Sequence, residues 1–130
     1  MKEQARVVVI GGGVVGCSVL YHLTRMGWSD VMLIERSELT SGSTWHAAGG
    51  FHTLNSDTNM AARQGYTIRL YRELEEITGL SCGLHHVGGV TLADNRDRFD
   101  MLLAERAKHR YMGLETEIVG PEELRKIAPV

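Results

Sequence analysis

The chain has 130 residues, a net charge of −2 from 14 Lys+Arg against 16 Asp+Glu, and a 43% hydrophobic fraction. That length suits one domain able to bury a core, and the apolar fraction argues against disorder. With no basic excess, nucleic acid and an anionic membrane surface are not expected partners. Glycine is in excess, at 15 residues. No collagen-like period accompanies it, so the glycines are assigned to special backbone positions.

The first residues pass directly into an apolar run, without the pattern of a secretory or transit peptide. No apolar run is long enough for a membrane span. Cys17 and Cys82 read as free thiols in a reducing compartment. A cytoplasmic location is the expectation.

Arg6-Val7-Val8-Val9-Ile10 is a β-branched run stopped by glycine, and it predicts a strand buried on both faces. After the turn at residues 11–13, Val15, Val19, Leu20, Leu23 and Met26 follow helical spacing, and Gly27 ends that helix. Val31-Met32-Leu33-Ile34-Glu35 predicts a second buried strand, parallel to the first in a βαβ unit. Residues 37–56 form a long loop rich in small and hydroxyl side chains; such loops are usually functional or disordered.

A helix is predicted over 57–78. Met60, Thr67, Tyr71, Leu74 and Ile77 form its inner face, and Arg69/Glu73 and Arg72/Glu76 pair at i,i+4. Val90-Thr91-Leu92 predicts a strand. Asp94 is assigned as the cap of a helix whose inner face is Phe99, Leu102, Leu103, Ala107 and Tyr111. Residues 115–119 predict a short strand, and Gly120-Pro121 a last short helix.

Gly11-Gly12-Gly13-Val14-Val15-Gly16 fits G-x-G-x-x-G between a strand and a helix. Glu35 follows Gly16 by nineteen residues, at the end of the second strand. That context defines a dinucleotide-binding unit. Gly11 permits the turn, Gly13 lets a pyrophosphate approach the backbone, and Gly16 lets the helix pack on the strand. The helix N-terminus offers N–H groups to phosphate. The Glu35 carboxylate suits ribose hydroxyls and repels a 2′-phosphate, which favours FAD or NAD over NADP. The next segment, Ser41-Gly42-Ser43-Thr44-Trp45-His46-Ala47-Ala48-Gly49-Gly50, favours FAD. A nicotinamide domain normally continues with another βαβ unit at that point.

The stretch from Glu35-Arg36 through Gly-Ser-Thr-Trp-His-Ala-Ala-Gly resembles the FAD-attachment region of the dimethylglycine dehydrogenase and sarcosine dehydrogenase family. That family includes dimethylglycine oxidases and belongs to the wider glycine/D-amino acid oxidase group. Val87-Gly88-Gly89-Val90-Thr91-Leu92-Ala93 and Pro121-Glu122-Glu123-Leu124 are similar but looser. The resemblance implies an α/β fold: a Rossmann-like FAD-binding βαβ unit followed by the start of a D-amino acid oxidase-like flavin-plus-substrate fold. It implies that FAD is held by Val14 and Val15, by Glu35 and Arg36, and by the stretch from Gly42 to Gly50. His46 is then the residue joined covalently to the flavin.

The implied reaction is oxidation of the N-methyl group of dimethylglycine or sarcosine by hydride transfer to flavin N5. The acceptor is an electron-transfer flavoprotein or O₂, and tetrahydrofolate serves a C-terminal part outside this chain. Two alternatives accompany this reading. One is a non-covalent FAD amine or D-amino-acid oxidase. The other is a non-catalytic regulatory relative, such as the regulatory subunit of pyruvate dehydrogenase phosphatase. No acid or base is assigned, and no metal site.

The remaining candidates are read blandly. His52 is a loop residue, with a contact to the flavin region as the alternative. His85 and His86 point apart and do not form a metal pair. Trp28 and Trp45 are packing residues by default, with shielding of the flavin as the alternative for Trp45, beside His46. Cys17 is a core filler. Lys108, His109 and Arg110 form a solvated helix face. Residues 1–56 are assigned to the dinucleotide core with its flavin loop, and 57–130 to the start of the rest. The chain is expected to be the N-terminal portion of a longer enzyme, inactive and a poor FAD binder by itself.

Overall fold

The structure, a computed structural model, describes residues 3–129. It divides into two compact units, one running to Gly49 and one from Gly50 onward.

The first unit is a βαβ arrangement: β1 (Val7–Ile10), α1 (Val14–Arg25) and β2 (Val31–Ile34). The two strands pair in parallel, with Val7 opposite Val31 and Ile10 opposite Ile34. The pair begins where the Asp30 carbonyl accepts the N–H groups of Arg6 and Val7, at 3.1 and 3.2 Å. Helix α1 ends at Met26, followed by Gly27 at φ 87°. The N–H of Trp28 reaches back 3.0 Å to the Leu23 carbonyl, so the glycine lets the chain turn and satisfy an orphan carbonyl.

Alternation along the strands gives the pair two faces. Val9 lies on the α1 side: its Cγ1 stands 3.4 Å from where a Cβ at Gly16 would sit. Val8, Ile10, Met32 and Ile34 lie on the other face by register. There Ile10 is 86% exposed and Val8 and Ile34 are about half exposed. The expectation of strands buried on both faces is therefore corrected. Only α1 packs on them among the described residues, so one face has lost water and the other has not. The same one-sidedness corrects the helix. Val15 and Val19 are exposed, while Leu20 and Leu23 are partly covered.

The second unit carries α2 (Thr58–Thr78), α3 (Arg96–Tyr111) and α4 (Pro121–Ile127). Asp57 caps α2 by accepting the Met60 N–H at 2.8 Å, and Gly79 ends it at φ 68°. The Phe51 and Tyr71 rings meet edge to face at 5.0 Å. Ala61 is buried, but Met60 and Ile77, assigned to the inner face, are exposed. Arg72 donates to His86, with Nε 2.8 Å from Nε2.

Asn95, not Asp94, caps α3: its Oδ1 accepts the Arg98 N–H at 2.8 Å. Asp94 instead accepts from the Asn95 side chain. Tyr111 is 90% exposed, whereas His109, assigned to a solvated face, is buried. The segment after α3 returns to the helix here: Arg106 Nε donates 3.0 Å to the Thr116 carbonyl, and the Leu114 N–H donates 2.9 Å to the His109 carbonyl.

Residues 90–92 and 115–119 form no strand. A strand is completed by a hydrogen-bonded neighbour, and none of the described residues pairs with these segments. No described helix is long and apolar enough to cross a membrane.

Candidate dinucleotide-binding site

The site is built at the carboxyl end of β1 and β2. The Gly11 N–H donates 2.8 Å to the Ile34 carbonyl, and Gly11 turns at φ 103°, a conformation that suits glycine. The chain then enters α1 with Gly13 as the residue before its first turn. A Cβ at Gly16 would overlap the Gly11 carbonyl oxygen, so only glycine allows the helix to start this close to the strand.

Gly12 is buried and held at both ends. Its N–H donates 2.7 Å to Glu35 Oε2. Its carbonyl accepts the Thr40 N–H at 2.9 Å and faces Cys17 Sγ at 3.5 Å. The second Glu35 oxygen, Oε1, accepts the Ser37 N–H at 2.9 Å. The Gly12 N–H, followed by the Ser37 N–H, holds the Glu35 carboxyl below the usual glutamate range; partial burial opposes this, and Arg36 adds a small effect in the same direction. Both donors stabilise the charged form.

The loop after β2 returns to the helix start. Thr44 Oγ1 accepts the Val14 N–H at 3.0 Å and stands 3.0 Å from where a Gly13 Cβ would be. Thr44 belongs to a 3₁₀ turn, Ser43–His46, inside the segment read as plain loop. In that turn Trp45 Nε1 donates 3.1 Å to the Ser41 carbonyl, and His46 Nδ1 lies 3.1 Å from the Gly42 carbonyl. The two rings stack with centroids 3.8 Å apart and 37° between planes. A carbonyl only accepts, so Nδ1 carries the proton in this bond. The neutral ring then keeps its lone pair on Nε2.

The structure thus brings together Gly11, Gly13, Val14, Val15, Gly16, Glu35 and the turn from Ser43 to His46. Arg36, Ala47 and Ala48 are exposed around it. Gly42 precedes the turn, and Gly49 follows at φ 72°. Gly50 opens the second unit. Sequence reasoning missed Gly12, Leu39 and Thr40. Leu39 Cδ2 stands 2.5 Å from where a Gly12 Cβ would be. Only the packing of the loop on the glycines shows these contacts. A cavity of ≈ 370 Å³ in the second unit, lined by residues such as Ser56, Lys108 and Tyr111, includes none of this constellation.

The arrangement fits a dinucleotide. The first-turn N–H groups of Val15 and Gly16 have no acceptor behind them in the helix, and the helix end is positive. Gly13 presents bare backbone. A carboxylate held charged stands at the end of β2, where an adenosine ribose is read in such units.

The chain belongs to the FAD dependent oxidoreductase family (DAO), whose model matches residues 6–130. FAD is the cofactor of that family. Dimethylglycine dehydrogenase from Rattus norvegicus is 40% identical over 129 residues, covering 99% of this chain and 15% of that protein. Human sarcosine dehydrogenase is 41% identical over 131 residues, covering 100% of this chain and 14% of that protein. L-proline dehydrogenase from P. horikoshii superposes with a TM-score of 0.85 at 26% identity, covering 99% of this chain and 34% of that one. The chain therefore spans about 15% of the length of the curated relatives it matches.

Proposed function

We propose that the protein oxidises the N-methyl group of a methylated glycine, dimethylglycine or sarcosine, with FAD attached covalently to His46. The observation that carries this reading is the turn Thr44-Trp45-His46, docked on the start of α1 by Thr44, with the His46 proton held on Nδ1 by the Gly42 carbonyl. That bond leaves Nε2 as the ring atom able to form a new bond, in the run that resembles the attachment region. The similarity to two dehydrogenases of methylated glycines supports the substrate class.

In this reading the Gly11–Gly16 turn and the first N–H groups of α1 hold the pyrophosphate. Glu35 holds the adenosine ribose. Arg36 and the stretch from Gly42 to Gly50 border the flavin half. When bound, FAD supplies the hydride acceptor, and the chain supplies binding, orientation and shielding. The electrons then pass to an electron-transfer flavoprotein or O₂, and tetrahydrofolate serves the released one-carbon unit elsewhere in the protein.

Two measurements on the whole protein test this. Mass spectrometry after acid denaturation is expected to find FAD on the His46 peptide; an unmodified peptide removes the covalent reading. Anaerobic addition of dimethylglycine or sarcosine is expected to bleach the flavin. Flavin that stays oxidised with both, and with other N-methyl amines, favours the non-catalytic alternative.

A further inference from the structure

We propose that Thr40 is a positioning residue of the dinucleotide cradle, whose backbone N–H locks the Gly12–Gly13 peptide plane that aims the cradle's donors. Three consecutive glycines, Gly11 to Gly13, lead from β1 into α1. With no side chains, nothing local stops their peptide planes from rotating. A phosphate cradle made of backbone N–H groups works only if those planes are fixed beforehand.

Two contacts fix them. Glu35 Oε2 accepts the Gly12 N–H and holds the Gly11–Gly12 plane. The Thr40 N–H donates to the Gly12 carbonyl and holds the Gly12–Gly13 plane. No peptide bond of the described residues is cis, so the Gly13 N–H points opposite to the Gly12 carbonyl, away from Thr40. That N–H has no acceptor among the described residues. It is one of the donors a pyrophosphate would meet. Thr40 therefore decides the direction of a donor it does not touch.

The backbone at Thr40 carries a second mark of this role. Thr40 lies at φ 66°, the only non-glycine residue with positive φ among those described. A β-branched residue disfavours that region, and such a conformation persists where the surroundings over-determine it. Leu39, packed on the Gly12 face, and the Thr40–Gly12 bond supply that determination. The Thr40 hydroxyl forms no hydrogen bond among the described residues, so the left-handed backbone and its N–H are the working parts.

The inference rests on the FAD reading of the site, not on covalent attachment or on the substrate. The test uses the whole protein with His46→Ala, so that a covalent bond cannot mask an equilibrium. FAD affinity is measured for four forms: unchanged at position 40, Thr40→Gly, Thr40→Asn, and an amide-to-ester exchange that removes only the residue-40 N–H. Gly and Asn tolerate the left-handed region. They are expected to bind FAD within about twofold of the unchanged form, with the same visible flavin spectrum. The ester is expected to weaken FAD at least tenfold and to shift the flavin spectrum toward that of free FAD.

An ester form that binds within twofold overturns the proposal. So does a Gly or Asn form as weak as the ester. Hydrogen exchange on the His46→Ala protein supplies a second reading that needs no change at position 40. By linkage, FAD is expected to slow exchange of the Thr40 N–H at least tenfold, and equal rates with and without FAD overturn the proposal. A parent form that binds no FAD at all removes the reading of the site, and this inference with it.

Discussion

At the residue scale, Glu35 and Gly16 carry the sharpest expectations. The Glu35 carboxylate accepts two backbone N–H groups and is held below the usual glutamate range. A carboxyl with a depressed folded pKa contributes stability above its unfolded pKa and loses it as pH falls through the folded value. The Glu35–Gly12 contact is therefore expected to survive intact at about pH 5 and to be lost only below the ordinary glutamate pKa of about 4.3. Carbon-detected NMR titration of the Glu35 carboxyl checks this, and a midpoint above the ordinary value contradicts it. Glu35→Gln keeps an acceptor for Gly12 but removes the charge. It is expected to weaken FAD roughly tenfold, because a charged acceptor binds more strongly than a neutral one. Isothermal titration of the whole protein carrying His46→Ala reads it. Gly16→Ala drives a Cβ into the Gly11 carbonyl. Overpacking of this kind costs about 3 kcal/mol, and the change is expected to lower the unfolding midpoint and FAD content together.

At the element scale, caps and faces decide the helices. Asn95 Oδ1 accepts the Arg98 N–H at the start of α3, while Asp94 accepts from the Asn95 side chain. Asn95→Ala is expected to cost about 1 kcal/mol and Asp94→Ala much less, read by denaturant unfolding of the whole protein. Equal costs would return the cap to Asp94. Both residues are good capping types, so the sequence alone places the helix start to within a residue. The side chain that turns inward is settled by the chain's path. For the same reason Met60, Ile77 and Tyr111 match a helical period yet stand exposed. Periodicity reports which residues share a stripe, and the partner decides which stripe loses water.

At the scale of the whole molecule, the chain leaves much apolar surface in water. Val8, Ile10 and Ile34 lie on an uncovered sheet face, and Ile10 is 86% exposed. Gly12, Ala61 and His109 are the buried residues among those described. The folded state needs apolar burial to offset chain entropy, and little is seen. The 130 residues expressed alone are expected to bind the dye ANS strongly and to unfold without a sharp transition. Weak dye binding with a cooperative transition would show that the chain buries more than this structure does.

The sequence by itself determined the βαβ unit, its glycine-rich turn and the acidic residue at the end of β2. Those features follow from local rules: β-branched runs, helical spacing, and glycines where a side chain cannot fit. It also carried the resemblance to an FAD-dependent family, because Gly11 to Gly16, Glu35 and the run through His46 are contiguous signals. Only tertiary contact decided that Thr44 docks the loop after β2 on α1 and that Thr40 grips Gly12. It also decided that His109 is buried and that residues 90–92 and 115–119 remain unpaired. Each of these depends on a contact between residues distant in sequence or on a neighbouring strand. Spacing along a chain does not encode which surfaces meet.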